Sequence, residues 1–521
     1  MKKFFTSFFA LMAAMAIEAG NFIVEVRPTT QYQTIIGFGA ACCDGAMKPY
    51  GTDTSPVKLL YGDVSKIGLN IMRMEISPNF IENADGWGDY DWYGCVPSAK
   101  IVKQRGGILF GTPWSPPGDY KTNGSASGGK ANPDKDDDPK NVRGKLSKEH
   151  YKDLFPWLNS YLKYMKSKDL DVYAVSIQNE PDWWVNYSGC LYSPEEQVEL
   201  VKNYAHLLDR ETYNVRLISA EPLGFTANYS DALMDDPDAR EQIDIVAGHL
   251  YGHAPLDYMK KAAVKANQYG KDIWMTEHSV SDNIKGRLPN WNEQLEFARE
   301  LNECMQAGCT GYIYWYMRAH WAFVGTGEKD NNGNYVYGSD DVKNRLLPRA
   351  YIMSHFSKNV TGSTRVNARV TTSAGTISSA FIAKTGATRQ LTAYVKGDSI
   401  IVMTINSTDY NDNLTIKLPS YVKSCTHWLS TSNDKADLCQ KTDLALEGSV
   451  MEVPVSMPAK SVNTYIFMVD QEATAIEDVE EPEEEIPSTF YDLQGRPMET
   501  PTGLCVEKFA DGTSRKVFIR N

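Results

Sequence analysis

Two stretches of the 521-residue chain each close an apolar run with a glutamate: Ile177-Gln178-Asn179-Glu180-Pro181 and Trp274-Met275-Thr276-Glu277-His278. Two opposed carboxylates are what glycosidic cleavage needs. One protonates the departing oxygen, and the other attacks the anomeric carbon or activates a water that does so. Side chains suited to the same chemistry stand at other run ends. Arg73, in Met72-Arg73-Met74-Glu75, supplies a positive charge that keeps a nearby nucleophilic carboxylate ionised. His249 is read as an orienting hydrogen-bond partner and Tyr251 as a donor to the nucleophile. Trp114, in Thr112-Pro113-Trp114-Ser115-Pro116-Pro117, and Trp315 offer indole platforms for a sugar ring, although either alone fits a core equally well. Asn179, directly before Glu180, completes the candidate substrate contacts.

These residues need a scaffold that brings distant run ends to one rim. Eight apolar runs recur at 34–38, 70–76, 107–112, 171–178, 216–220, 243–249, 272–276 and 311–316. Helix-like stretches such as 150–168, 194–209 and 292–306 separate most of them. That alternation predicts an α/β fold, a closed (β/α)8 TIM barrel whose active site lies at the C-terminal ends of the strands. An open doubly wound sheet is the rival, but no GxGxxG follows the first run. From 364 to 468 the pattern changes to short alternating runs, at 390–395, 399–406 and 462–468 among others, which predicts a β-sandwich fused to the barrel. Residues 22–27 also alternate and can add a strand to it. The expected order is a signal peptide at 1–19, an N-terminal strand of the side domain at 20–33, the barrel at 34–354, the sandwich at 355–469, an acidic linker at 470–488 and a small module at 489–521. A long loop at 120–146, after the third run, is expected to serve the active face.

Composition narrows the function class. Hydrophobic residues are 42% and charged residues 23%, which fits a soluble chain with a sizeable core. The net charge is −13, and nine of the acids fall between 470 and 485, so no basic nucleic-acid footprint exists. Lys2 and Lys3 precede an apolar run at 4–17, with Ala14-Met15-Ala16 as a cleavage site. That leader predicts a secreted or cell-surface protein; the run is too short to span a bilayer comfortably, and no membrane span is expected. Nine cysteines, an odd number, show no CxxC spacing and there is no HExxH, so neither a metal nor an organic cofactor is expected. The cysteines are read mainly as small buried hydrophobes.

A longer series of motifs resembles glycoside hydrolase family 30, most closely its bacterial xylanase, or glucuronoxylanase, branch. The stretches are Gly37-Phe38-Gly39, Gly111-Thr112-Pro113-Trp114-Ser115-Pro116-Pro117, Ser176-Ile177-Gln178-Asn179-Glu180-Pro181-Asp182, His249-Leu250-Tyr251-Gly252, Lys271-Asp272-Ile273-Trp274-Met275-Thr276-Glu277 and His355-Phe356-Ser357-Lys358. The resemblance covers about residues 22–469. It implies Glu180 as acid/base, Glu277 as nucleophile, retention of configuration, and xylan as the polysaccharide partner; separately, the chain is expected to act as a monomer. It also implies two arginines after the eighth strand, the second gripping the glucuronate branch. Here Arg318 keeps the first position, and Ala319 replaces the second. The expected activity is therefore an endo-β-1,4-xylanase not strictly dependent on glucuronate branches. The alternatives are a β-1,6-glucanase or glucosylceramidase-like enzyme of the same family, and a non-catalytic carbohydrate-binding protein. The tail from Thr489 resembles the short C-terminal sorting modules of exported Bacteroidetes proteins.

Overall fold

The computed structural model describes residues 20–42, 53–78, 92–129, 143–225, 227–252, 255–280, 287–319, 321–329, 332–333, 335–338, 341–381, 384–448, 450–470, 488–491, 497–498, 503–509 and 514–519. The expected leader at 1–19 and almost all of the acidic stretch lie outside the described residues.

The first strand, β1 (Asn21–Thr34), buries alternate residues Phe22, Val24 and Val26, as its period-two pattern requires. It is followed by eight parallel strands that close a barrel: β2 (Gly37–Cys42), β3 (Ile71–Ile76), β4 (Ile108–Pro113), β5 (Ala174–Ser176), β6 (Arg216–Ile218), β7 (Ile245–His249), β8 (Asp272–Glu277) and β9 (Gly311–Tyr316). β2 pairs with β9 to complete the ring. Seven of these strands coincide with the expected runs to within a few residues. The first does not: Thr34 ends β1, and the barrel strand starts at Gly37. The backbone changes allegiance between them, with Ile35 N–H bonding Ser363 O and Ile36 N–H bonding Thr310 O. Gly37, at φ +155°, leaves no room for a side chain, because a Cβ there would lie 1.9 Å from Asn70 Oδ1.

One end of the barrel interior is plugged by Ile71, Phe110, Ala174, Ile218, Ile245, Trp274 and Ile313, with Phe110 edge-on to Trp274 at 5.4 Å. A larger apolar layer joins the strands to the outer helices. Tyr151–Ser167 turns Leu154, Phe155, Leu158, Tyr161, Leu162 and Met165 inward at helical spacing. Capping boxes start two other helices, Ser193 with Glu196 and Asn290 with Glu293.

A short hairpin, β10 (Gly327–Lys329) and β11 (Tyr335–Gly338), follows the barrel, and then the β-rich side domain. Its strands are β12 (Thr364–Thr372), β13 (Arg389–Lys396), β14 (Ser399–Asn406), β15 (Asp412–Ser430), β16 (Gln440–Leu444), β17 (Val450–Met457) and β18 (Ser461–Val469). β1 joins them, antiparallel to β12 and parallel to the first half of β15. β15 carries both layers: residues 412–417 pair with β1 and β17, and 422–430 with β18 and β16. The two layers enclose Val24, Val366, Ala393, Val402, Ile416, Val453 and Phe467.

The seam between barrel and sandwich is polar and hydrogen-bonded. Thr392 donates to Asn302 Oδ1 at 2.6 Å, and Gln390 to Glu303 at 2.6 Å. His355 sits fully buried between Thr464 Oγ1 and Ser430 Oγ, each 2.9 Å away. Described by itself, the C-terminal unit is a four-stranded sheet of β19 (Ser488–Tyr491), β20 (Pro497–Met498), β21 (Gly503–Phe509) and β22 (Ser514–Ile519), in the order β20-β19-β21-β22. Among the described residues, no helix is long and apolar enough to cross a membrane.

Candidate active site

The strand ends of β3, β4, β5, β6, β7 and β8 converge on one cluster. Glu277 ends β8 and Glu180 follows β5; they are 6% and 8% exposed, so each keeps a little contact with solvent. One oxygen of each, and one nitrogen of His249, lie within 4.8 Å of one another. Glu180 takes φ +44°, uncommon for a residue with a side chain, in the turn before Pro181. Neighbouring strand ends hold that turn: Glu180 N–H bonds Glu221 O at 2.8 Å, and Asn179 N–H bonds Pro113 O at 2.9 Å. Asp182 then accepts from Leu223 N–H at 2.8 Å.

Arg73 and His249 were expected near the substrate, yet neither has exposed surface. They lie beneath the carboxylates. The Arg73 guanidinium donates to Glu277 Oε2 and to Asn179 Oδ1, the latter at 2.7 Å, and pairs with Glu221 Oε2 at 3.1 Å. Its other face packs on Trp114, 4.6 Å from the ring centroid. Tyr251 Oη donates to Glu277 Oε1 at 3.3 Å. The two Glu277 oxygens are thus both addressed by donors. His249 Nδ1 bonds Glu180 Oε1 at 3.0 Å, and its Nε2 stands 3.7 Å from Glu221 Oε2 and 3.8 Å from Glu277 Oε2. Trp114, 7% exposed, leans on Trp315 with centroids 5.7 Å apart; Trp315 stays half-buried and Asn179 is buried.

The electrostatics follow from this packing. Burial raises the Glu277 carboxyl above the ordinary glutamate range, opposed by His249 and Arg73 and reinforced by Glu180. Burial would lower the His249 imidazolium, but Glu277, Glu180 and Glu221 reverse this and push it up to about 9. Burial likewise works against the Glu221 carboxylate, and Arg73 and His249 overcome it, holding its pKa at about 2. The Glu180, His249 and Glu277 donor atoms are close enough to enclose a cation. Arg73 and His249 already bring positive charge to the same carboxylates.

Glu221 escaped the sequence reading, as did Thr112, whose hydroxyl donates to Glu221 Oε1 at 2.8 Å. A signal existed: Ala220-Glu221-Pro222 repeats the Glu-Pro turn of Glu180-Pro181 one strand later. Trp183 and Tyr187, 53% and 56% exposed, were also missed. Partial burial together with the Glu180 and Glu277 charges pushes the Tyr187 hydroxyl up to about 12, which puts that ring within electrostatic reach of the cluster.

The loop after β4 is fastened from within. Lys121 Nζ donates to the carbonyls of Ala126, Ser127 and Gly189 at 3.1, 2.8 and 2.5 Å, tying the loop to the segment after β5. Burial lowers that ammonium to about 8. Of the loop's middle, Lys130 lies outside the described residues, and Arg143 is exposed. Beyond β9, Arg318 Nη2 bonds Asp53 Oδ2 at 2.6 Å and also Asn344 Oδ1. Ala319 is 6% exposed, with its N–H on Val324 O at 3.1 Å.

Comparison with known proteins agrees with this geometry. Residues 150–342 match the model described as a glycosyl hydrolase catalytic core. Over 411 residues the chain is 26% identical to the glucuronoxylanase XynC of Bacillus subtilis, covering 77% of this chain and 82% of that one. The structure of a glycoside hydrolase family 30 subfamily 8 xylanase from Clostridium acetobutylicum superposes with a TM-score of 0.64 at 28% identity, over 86% of this chain and all of the other. The chain is thus similar to glycoside hydrolase family 30, and in particular to its bacterial xylanases, over most of its length. A more distant family likeness is to the lysosomal acid glucosylceramidase of Mus musculus, 22% identical over 76% of this chain and 79% of that protein. That likeness supports a glycosidase, and the fold is the TIM barrel with its side β-sandwich.

Proposed function

We propose that the protein is a retaining endo-β-1,4-xylanase in which Glu277 is the nucleophile and Glu180 the acid/base. The observation that carries the reading is the spacing of the two carboxylates, whose nearest oxygens lie within 4.8 Å. Retaining enzymes hold the two groups about 5–5.5 Å apart, whereas inverting ones leave about 6.5–9.5 Å for a water. In the first step Glu277 attacks the anomeric carbon while Glu180 gives its proton to the departing oxygen. In the second, Glu180 takes a proton from water, which releases the sugar from Glu277. Arg73 and Tyr251 steady the Glu277 charge, and the exposed Trp183 and Tyr187 and the half-buried Trp315 offer rings to a sugar chain. Since Glu277 must be ionised, activity falls on acidification at a pH above the ordinary glutamate range.

Xylan as the substrate rests on the two xylanase relatives. Independence of glucuronate rests on Ala319, which carries no charge, and on Arg318, which is spent on Asp53 and Asn344. The same two residues, with the glucosylceramidase relative, favour a second reading, a β-1,6-glucanase or glucosylceramidase-like glycosidase. Reducing-sugar release from glucuronoxylan, plain xylan and β-1,6-glucan decides between them: activity on both xylans and none on the glucan supports the first. A purely carbohydrate-binding role is disfavoured by the two paired carboxylates, which binding alone does not need. Export to the medium or cell surface, as a monomer, is part of the proposal; cell fractionation and light scattering test it.

A further inference from the structure

Beneath the two proposed catalytic carboxylates lies a third that takes no part in the steps above. Glu221 has no exposed surface and cannot meet a substrate. Its Oε1 accepts from Thr112 at 2.8 Å, and its Oε2 pairs with Arg73 at 3.1 Å. The same Oε2 faces His249 Nε2 across 3.7 Å, longer than a hydrogen bond, so the link is one of charge. The two buried cations therefore share a counter-ion: Arg73 bridges Glu221 to Glu277, and His249 bridges Glu221 to Glu180. Deepening the reading above and resting on it, we propose that Glu221 is a positioning residue that fixes His249 as an imidazolium, with its Nδ1–H aimed at Glu180.

The consequence concerns Glu180. When Glu180 gives its proton to the leaving oxygen, the new carboxylate meets the Nδ1–H of a charged ring at 3.0 Å. A charge-assisted bond of this kind is roughly twice as strong as a neutral one. His249 keeps both of its protons throughout, and Glu180 recovers its own from the attacking water, so the cycle closes without another proton source. The groups facing His249 are Arg73 from β3, Glu180 and Asp182 after β5, Glu221 after β6, Tyr251 after β7 and Glu277 on β8. Arg73 opposes the ring's charge, and the carboxylates favour it. Among them, Glu221 is fully buried, takes no part in the proposed bond changes and faces His249 Nε2, on the side of the ring away from Glu180.

The test is Glu221→Gln in the full chain, an isosteric change that keeps an oxygen for Thr112. The proposal expects the alkaline limb of kcat to move to lower pH by about one unit or more, the size of shift a neighbouring charge produces. It also expects a loss at pH 8 of roughly tenfold or more on xylan, with little change on an aryl xyloside whose leaving group needs no proton. An alkaline limb that stays in place, or an equal loss on both substrates, overturns it. Should the variant fail to fold, nitrogen-15 NMR of the wild-type imidazoles, with His249 assigned through His249→Asn, still decides the matter. A charged His249 ring at pH 7 supports the proposal and a neutral one overturns it. That reading needs no substrate, so a wild type inactive on every glycoside would sink the functional reading and leave this result standing by itself.

Discussion

His249 and His355 are both without exposed surface, and their surroundings send them in opposite directions. At the proposed catalytic rim His249 is ringed by Glu180, Glu221 and Glu277 and is raised to about 9. In the barrel–sandwich seam His355 sits between two hydroxyls; burial, with His427 nearby, pushes it down to about 3. Burial by itself expels a charge, and burial among carboxylates retains one. The seam spends its buried polar groups on short hydrogen bonds, mostly among hydroxyls and amides, that fasten two domains. The rim keeps ions packed closely together, a costly arrangement that proteins tolerate where chemistry requires it.

The largest effect expected from breaking the rim is at Glu277. Glu277→Gln should cut activity on every glycoside by about 10⁴-fold or more, because no glycosyl-enzyme can form; steady-state rates on xylan and on an aryl xyloside check it. Glu180→Gln should cost about 10²–10⁴-fold on xylan and far less on an activated aryl substrate, with azide restoring the second step. Azide rescue of Glu277→Gln instead, with configuration preserved, would reverse the two roles.

The next effect sharpens the contrast between the histidines through stability. His249 has a raised folded value, so its contribution is full below about 6.5, its ordinary value, and fades as pH climbs through about 9. His355 has a depressed value, so the protein loses stability as pH falls from about 6.5 toward about 3. Unfolding curves against pH, compared with those of His249→Asn and His355→Asn, should diverge from wild type with opposite slopes. Parallel curves would remove the distinction between rim and seam. The smallest effect concerns the uronate. A charge-assisted contact is worth about 1.5–3 kcal/mol, or roughly 10- to 200-fold. With Ala319 in place, that preference should be absent, and kcat/KM on glucuronoxylan and on stripped xylan should be similar. Near-complete loss on stripped xylan would point to another cation, with Arg143 and Lys130 as the first to replace.

The same contrast explains what the sequence disclosed. The strands, and the meeting of Glu180 with Glu277, were legible because alternating apolar runs fix a barrel, and a barrel fixes where its strand ends meet. The start of the first barrel strand was not, because Thr34 and Gly37 belong to one continuous apolar segment divided only by which partner each backbone group takes. Glu221 was missed because it stands just beyond a run that ended at 220, behind one of the shortest strands, and its partners come from β3, β4 and β7. The seam was illegible for a similar reason: Asn302, Gln390 and Thr392 look like ordinary surface polar residues, and the motif that holds His355 gives no sign of its partners, until tertiary packing brings them together.

The central claim is that Glu277 becomes covalently bonded to the sugar while Glu180 serves the proton. Incubation with an activated 2-deoxy-2-fluoro-β-xylobioside, which slows the second step, followed by peptide mass spectrometry, tests it most directly. The account predicts one added disaccharide on the peptide that carries Glu277 and none on Glu277→Gln. A label on Glu180 or Glu221 would contradict it.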